Sequence, residues 1–500
     1  MILLPPYDDA VNIRTHTAPS SLWDLFGNKS VALASLGMTV GVGFLVLTSL
    51  LGPLQAFIGI LGLFISGLVL LRPELGFLLM IALIPLDRIG RLSSSEAVIS
   101  MSVAKILGML TLAGWLLHAA YKKEKIIFPQ EFLPLILFIF LGSLTYFYTT
   151  DKPAAAAAIS RLLTTLFLLF LTVNIIKPQK HLKLVIASLL IMTAVMGVFA
   201  ITVRFFPAYL TREEGPVLDS YGVMEDPAEE ARVGVIQSSQ GATVHPGFYV
   251  LNLLIAIPLY VYMVQDASSL LTKLLWGVSG VLATVNLFLT YRRSGVIVLI
   301  ILLIFMLVKR LIKITPTTLI LGTLIASMTL FFMPETFWTR VFSPSAYSVE
   351  KAHNVKSRLA MLDAAFMLLK EKWLFGVGLF NQIELPKYKN LRELTGVHST
   401  AHNAYLQLWI ETGILGLIIF LRVLYTFWRD LSVAEKNLSR LQNYSMCQLV
   451  GILKTAFLAP ILLGFTGVDW NIPMREWWFI CGVSVVMKRY SERPPPTSAD

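Results

Sequence analysis

The chain has little charge. Asp, Glu, Lys and Arg make up 14% of its 500 residues, while 56% are hydrophobic. A soluble surface at normal density takes about 25% charged residues. A soluble multidomain enzyme is therefore excluded, and so are a disordered chain and a coiled coil. Cysteine is almost missing. Cys447 and Cys481 are the two present, which rules out a disulfide framework and a cysteine zinc site. There is no Asp-x-Asp, no His-Glu-x-x-His, no Walker-type glycine loop and no Cys-x-x-Cys. Nothing therefore points to nucleotide or metal chemistry. His398 and His402 are four apart, but no carboxylate or cysteine stands near them in sequence, so no metal is expected. No repeat of 20–50 residues shows either.

Long apolar runs are what the chain does have. Mean hydropathy is +0.72, and the expected class is all-α, a polytopic transmembrane helical bundle. Runs of spanning or near-spanning length fall at 31–51, 54–71, 73–86, 100–120, 131–149, 156–176, 182–204, 246–265, 270–290, 294–311, 316–333, 403–426, 448–467 and 473–488. The third is short. The start, 1–30, is polar and carries Asp8, Asp9 and Asp24. It lacks a basic region before an apolar core, so no cleaved signal peptide is expected.

With the N-terminus placed inside, basic residues of the inner segments outnumber those of the short outer loops about threefold. The net charge of +11 is then read as cytoplasmic anchoring, and no nucleic-acid partner is expected. This topology gives a cytoplasmic segment 1–30, spans over 31–204, an outer loop 205–245, spans over 246–333, a large outer loop 334–401, spans over 402–488 and a proline-rich cytoplasmic tail 489–500. Long outer loops are where function concentrates.

The strongest local pattern runs from His402-Asn403 through Gln407 to Glu411-Thr-Gly413-Ile-Leu-Gly416. Asn403, Gln407 and Glu411 lie at i, i+4 and i+8 and share one helix face. In an unbroken helix Glu411 lies about 13 Å along the axis from His402. An acid at such depth is a functional residue or a knot between helices. His402, near the interface, is either a general base or part of a cap.

The segment Leu289-Thr-Tyr-Arg292-Arg293-Ser-Gly295 joins two apolar runs with almost no loop. It predicts a tight hairpin with two arginines on the outer side. Arginine forks suit phosphate oxygens, and they also snorkel to lipid headgroups. Within the large loop, Leu359, Leu362, Phe366 and Leu369 recur at steps of three and four. They predict an amphipathic helix over 355–371 on the membrane surface or capping the bundle. Arg358 stands near its start. Trp373-Leu-Phe-Gly376-Val-Gly378 reads as its stop signal.

Taken together, Phe375-Gly-Val-Gly378, His402-Asn403 and Glu411-Thr-Gly413-Ile-Leu-Gly416 resemble the signature of the bacterial O-antigen ligase and O-antigen polymerase superfamily. Thr290-Tyr-Arg-Arg293-Ser-Gly is similar to that family's outer hairpin, with Arg293 the better match and Arg292 where a small residue is commoner. Ser357-Arg358 resembles its second arginine, and Arg232-Val-Gly a weaker feature. The resemblance covers roughly 230–425. It implies a GT-C-like membrane glycosyltransferase of the bacterial inner membrane with its active face in the periplasm and no cofactor. The implied donor is a glycan on undecaprenyl pyrophosphate, and the acceptor is lipid A–core or another glycan. Arg293, Arg358, Arg232 and Arg292 would meet the pyrophosphate, with His402 as base. Asn403, Gln407 and Glu411 would support it, with Asp469 as a further carboxylate. Two other readings remain: a polymerase extending the lipid-linked glycan, and a permease or flippase for such a glycan or an anion.

Overall fold

The computed structural model describes residues 53–86, 103–177, 181–205, 246–290, 292–312, 323, 327, 348–381, 383–387, 400–466 and 475–492. Backbone contacts divide the chain into residues 1–68 and 69–500. Of the first unit the description begins at Pro53, inside a helix that runs to Leu71.

Every regular element among the described residues is helical. In chain order these are α1 (Pro53–Leu71), α2 (Pro73–Ala82), α3 (Val103–Lys122), α4 (Leu133–Leu144), α5 (Lys152–Ile175), α6 (Lys183–Phe205), α7 (Pro246–Asp266), α8 (Leu270–Leu289), α9 (Arg293–Val308), α10 (Ser348–Lys372), α11 (Ala404–Arg440), α12 (Tyr444–Leu463) and α13 (Arg475–Ser491). Turns of 3₁₀ helix flank α4 at both ends and follow α2 and α12. Eight described helices are long and apolar enough to cross a membrane. The expected polytopic helical bundle is therefore what the chain forms.

Helix starts are written in the sequence. Asp151 accepts the Ala154 N–H, Ser269 the Thr272 N–H and Asn443 the Met446 N–H. Each satisfies a donor that the first turn leaves open. Burial then sorts the helices. Of the most apolar stretch of α7, 78% is buried, and of α12, 72%, against 22% for α8. So α7 and α12 form the middle and α8 turns most of its surface outward. In α13, Trp477, Phe479, Ile480, Cys481 and Val483 are all fully buried. It packs on α5, α11 and α12.

Three expectations need correction. The span expected over 73–86 is a ten-residue helix ending at Ala82 and a separate 3₁₀ turn. Ten residues rise only about 15 Å, half the apolar thickness of a bilayer. The span expected over 403–426 is a longer helix, α11, broken at Gly413. Third, α10 forms, but the expected stripe is split. Met361, Ala364, Ala365, Leu368 and Leu369 are buried, whereas Leu359, Leu362 and Phe366 are exposed. Small residues win the contact face because they let the helix approach its neighbours closely. Residues 1–52, with the span expected at 31–51, lie outside the described residues, as do the loop from 206 to 245, all of the span expected at 316–333 except residues 323 and 327, and the tail from 493.

Candidate functional site

The site is built at the head of α11. Asn403 caps it: its Oδ1 accepts the N–H groups of Tyr405 and Leu406 at 3.0 and 3.1 Å. His402, one residue earlier, has φ +51. A left-handed backbone costs a side-chain-bearing residue about 1–2 kcal/mol, so something must hold it. Both neighbours are tied down. Asn403 is fixed by its cap, and the buried Ala401 N–H donates to Gln407 Oε1 at 2.9 Å. Gln407 in turn donates through Nε2 to Glu411 Oε1 at 2.8 Å. Gln407 and Glu411 are buried, at 2% and 0% exposure, whereas His402 is exposed. A buried acid and amide thus brace a strained turn that presents an imidazole to the surface.

The next turn is a break. Gly413 has φ 71 and ψ −179, which ends one helical segment and starts another. The freed backbone groups find partners in the segment after α10. The N–H of Val377 donates to Ile410 O, that of Gly378 to Glu411 O, and that of Ile414 to Trp373 O, each at 2.9 Å. This backbone-to-backbone crossing leaves no room for side chains. A Cβ on Gly413 would stand 2.0 Å from Leu374 O, and one on Gly376 would stand 2.5 Å from Glu411 O. Both glycines also have positive φ. Gly378 sits equally close to Thr149, whose Oγ1 a Cβ would meet at 2.6 Å.

The crossing is pinned to the end of α4. Tyr148 Oη donates to Phe375 O at 2.6 Å, and the Leu379 N–H donates to Thr145 Oγ1 at 2.9 Å. The Trp409 ring N–H donates to Trp373 O at 3.0 Å. Glu411 is therefore level with the end of a span. The reading of it as an acid deep along an unbroken helix is corrected: the break at Gly413 puts Glu411 in the short leading segment. That segment reaches α12, where Tyr405 Oη donates to Ile461 O at 2.9 Å and its ring lies 4.6 Å from that of Phe465.

The arginine hairpin belongs to the same end. α8 stops at Leu289, Thr290 is its C-cap, and α9 starts at Arg293. Arg292 is half-buried and Arg293 exposed. Gly295 lets the hairpin close onto α7, since a Cβ there would lie 2.7 Å from Val250 Cγ1. At the opposite end Gln448 donates to Leu311 O and Gly451 faces Leu311. From there α9 runs back toward Arg293 while α12 runs toward Ile461 and Tyr405. Both Arg292 and Arg293 thus lie at the His402 end of the bundle.

Of the sequence-predicted residues, His402, Asn403, Gln407 and Glu411 form one unit. Arg292 and Arg293 share its end of the bundle. Arg232, Asp469, His398 and the side chain of Arg358 lie outside the described residues. Among the described residues no three of His, Cys, Asp or Glu gather as a metal-holding group. Sequence reasoning missed Thr145, Tyr148, Trp373 and Trp409. A signal was available in Gly376 and Gly378: two glycines two apart, just after a helix, mark a close backbone approach and not only a stop.

Residues 278–421 match the family model described as O-Antigen ligase. The match runs from α8 through the arginine hairpin and the Gly376–Gly378 crossing to the first half of α11. No curated protein matches the chain. With eight apolar helices of spanning length among the described residues, the chain is a multi-pass membrane protein that carries, over residues 278–421, a stretch matching the O-Antigen ligase family.

Proposed function

We propose that the chain is a glycan ligase. It moves a glycan from undecaprenyl pyrophosphate to a sugar hydroxyl of lipid A–core, at the periplasmic face of the inner membrane. The observation that carries this reading is the braced His402 turn within the matched family stretch, at the same end of the bundle as Arg292 and Arg293. The excess of basic residues in the opposite loops supports placing that end outside the cytoplasm.

In this mechanism His402 takes the proton of the acceptor hydroxyl. The acceptor oxygen attacks the anomeric carbon of the donor, the bond from that carbon to the pyrophosphate oxygen breaks, and its electron pair leaves with the lipid pyrophosphate. Attack opposite the leaving group inverts the anomeric centre. Negative charge grows on the leaving oxygen, and arginine guanidiniums stabilise it. Arg293 leads this clamp, with Arg292 beside it and Arg358 and Arg232 completing it. Glu411, Gln407 and Asn403 act on His402 as positioning residues, through the backbone on either side of it. The chemistry calls for neither metal nor nucleotide.

Reconstituted transfer tests the reading. Purified protein is given undecaprenyl-pyrophosphate glycan with and without lipid A–core, in chelator. Glycan on lipid A–core is the expected product. Chain growth without that acceptor identifies a polymerase, and uptake of lipid-linked glycan without any transfer identifies a permease. His402→Ala should lower the rate about 10²–10⁴-fold, the worth of general-base help, while the protein inserts normally. A well-expressed His402→Ala protein with wild-type transfer removes His402 from the chemistry. Arg293→Ala should also abolish transfer, and Arg292→Ala should do less.

A further inference from the structure

A half-open cleft of about 580 Å³ lies between the turn after α4 and the segment that follows α10. Its volume falls in the range of ligand sites, about 300–1,000 Å³. Its walls are aromatic: Tyr148, Trp373 and Phe375, exposed by 47%, 52% and 59%. Its polar wall is Thr150, Asn381 and Glu384, with Glu371 and Lys372 at the end of α10 completing the rim. Thr150 Oγ1 donates to Glu384 Oε1 at 2.7 Å and accepts from Asn381 Nδ2 at 3.1 Å. Asn381 is 1% exposed and also donates to Val377 O at 2.9 Å, so this polar wall is preset. Partial burial pushes the Glu384 carboxyl up, but hydrogen bonds from Lys387 and Thr150 outweigh it and hold the group below the usual carboxylate range. It is an anion at neutral pH.

We propose that this cleft binds the sugar of the glycan acceptor, an inference that rests on the ligase reading above. A pyranose is amphipathic in the way the cleft is: C–H faces that pack on aromatic rings, and hydroxyl edges that donate to carboxylates and amide oxygens. Glu371 and Glu384 outnumber the single lysine of the lining, Lys372, which makes the cleft a poorer place for pyrophosphate than the arginine hairpin. The layout separates the two substrates. α11 packs against α4 on one flank and α12 on another, and α9 reaches the bundle through α12 and α7. The cleft is on the α4 flank, the arginine hairpin on the α9 side. The His402 turn, at the head of α11, stands between them. A base that takes a proton from the acceptor as it meets the donor belongs in that position. The turn is also tied to the cleft segment, because Ala401 packs in one cluster with Val377 and Leu385.

The test uses the full chain in detergent and two readouts. The first is binding of delipidated lipopolysaccharide core oligosaccharide, with no donor, followed by calorimetry. The second is transfer kinetics with the acceptor and donor varied separately. Trp373→Ala and Glu384→Gln should each weaken oligosaccharide binding about tenfold, the scale of one good contact, and raise the acceptor KM by a like factor with the donor KM unchanged. Trp373→Phe should restore most of the loss, because a ring face is what it supplies. Phe375→Ala, also at an exposed side chain, serves if Trp373→Ala does not fold. Unchanged oligosaccharide binding in these variants overturns the proposal. So does a rise in donor KM alone, which would make this the donor's sugar site. Protein that binds the oligosaccharide through Trp373 and never transfers glycan leaves the cleft standing and removes the ligase reading. Transfer with an acceptor KM insensitive to Trp373 and Glu384 does the reverse.

Discussion

The two ends of α11 are held in opposite ways. Near His402 the contacts run from backbone to backbone, across Gly376, Gly378 and Gly413, and the buried acid Glu411 has the neutral amide of Gln407 beside it. At the far end the contacts are ionic. Asp430, fully buried, lies 3.4 Å from Lys488 Nζ, which also pairs with Glu131. Glu435 pairs with Lys454 at 2.7 Å, and the Lys454 ammonium sits 4.6 Å from the Trp428 ring centroid. Charge pairs fasten one helix to the next with side chains. Glycine crossings fasten them without side chains. The His402 end can therefore be rigid and still offer its imidazole and aromatic groups to a substrate, whereas the Lys488 end spends its charged groups on cohesion.

The largest effect should follow from giving the glycine crossing a side chain. Gly413→Ala puts a Cβ 2.0 Å from Leu374 O at a residue with φ 71. The backbone conformation, φ 71 with ψ −179, is one that essentially only glycine adopts and alone costs about 1–3 kcal/mol, and overpacking adds about 1–3 kcal/mol. We expect a large fall in melting temperature, read by size-exclusion chromatography after heating, and no transfer activity. A Gly413→Ala protein that melts like wild type would break the contrast. Next in size is the ionic end. Lys488→Met takes the lysine from Glu131 and from the buried Asp430, which keeps only Arg429 at 3.4 Å, and breaking a buried pair costs up to about 3–5 kcal/mol. Here stability should fall while acceptor and donor KM of the surviving protein stay as they were.

How much of this could be read in advance follows the same division. The helical bundle was legible because an apolar run of twenty residues has few other stable forms. The caps Asp151, Ser269 and Asn443 are equally local, although the sequence reading did not single them out. The His402 end was half legible. The i, i+4 spacing foretold that Gln407 and Glu411 would meet, and they do. It could not foretell the break at Gly413, because a glycine in an apolar helix is tolerated as often as it breaks the helix. Only the arrival of Trp373–Gly378 alongside decides it. α10 shows the same limit. Its periodicity allowed two apolar faces, and the close-packing neighbours chose the one with Ala364 and Ala365. The cleft was invisible in the sequence, since it joins Thr150 to Glu384, 234 residues apart.

Smaller changes sharpen the comparison. Gln407→Ala removes the amide that accepts from the Ala401 N–H and donates to Glu411 Oε1, and losing a buried hydrogen-bond partner costs about 1–3 kcal/mol. If Gln407 positions His402, kcat should fall more than the acceptor KM changes, and Gln407→Glu should not restore it, because a second carboxylate would face Glu411. Smallest of all is Lys183→Ala. Its ammonium pairs with Asp266 at 2.7 Å, but the lysine side chain is 42% exposed and the aspartate 24%. An exposed pair gains little over water, about 0–1 kcal/mol. It shares the Lys488 end of the bundle and the same chemistry as the Lys488 network, and differs in burial. A melting shift near zero for Lys183→Ala beside a large one for Lys488→Met would show that burial makes the ionic end strong. Equal shifts would mean that charge pairing of any kind holds that end, and the contrast with the glycine crossing would then rest on chemistry alone.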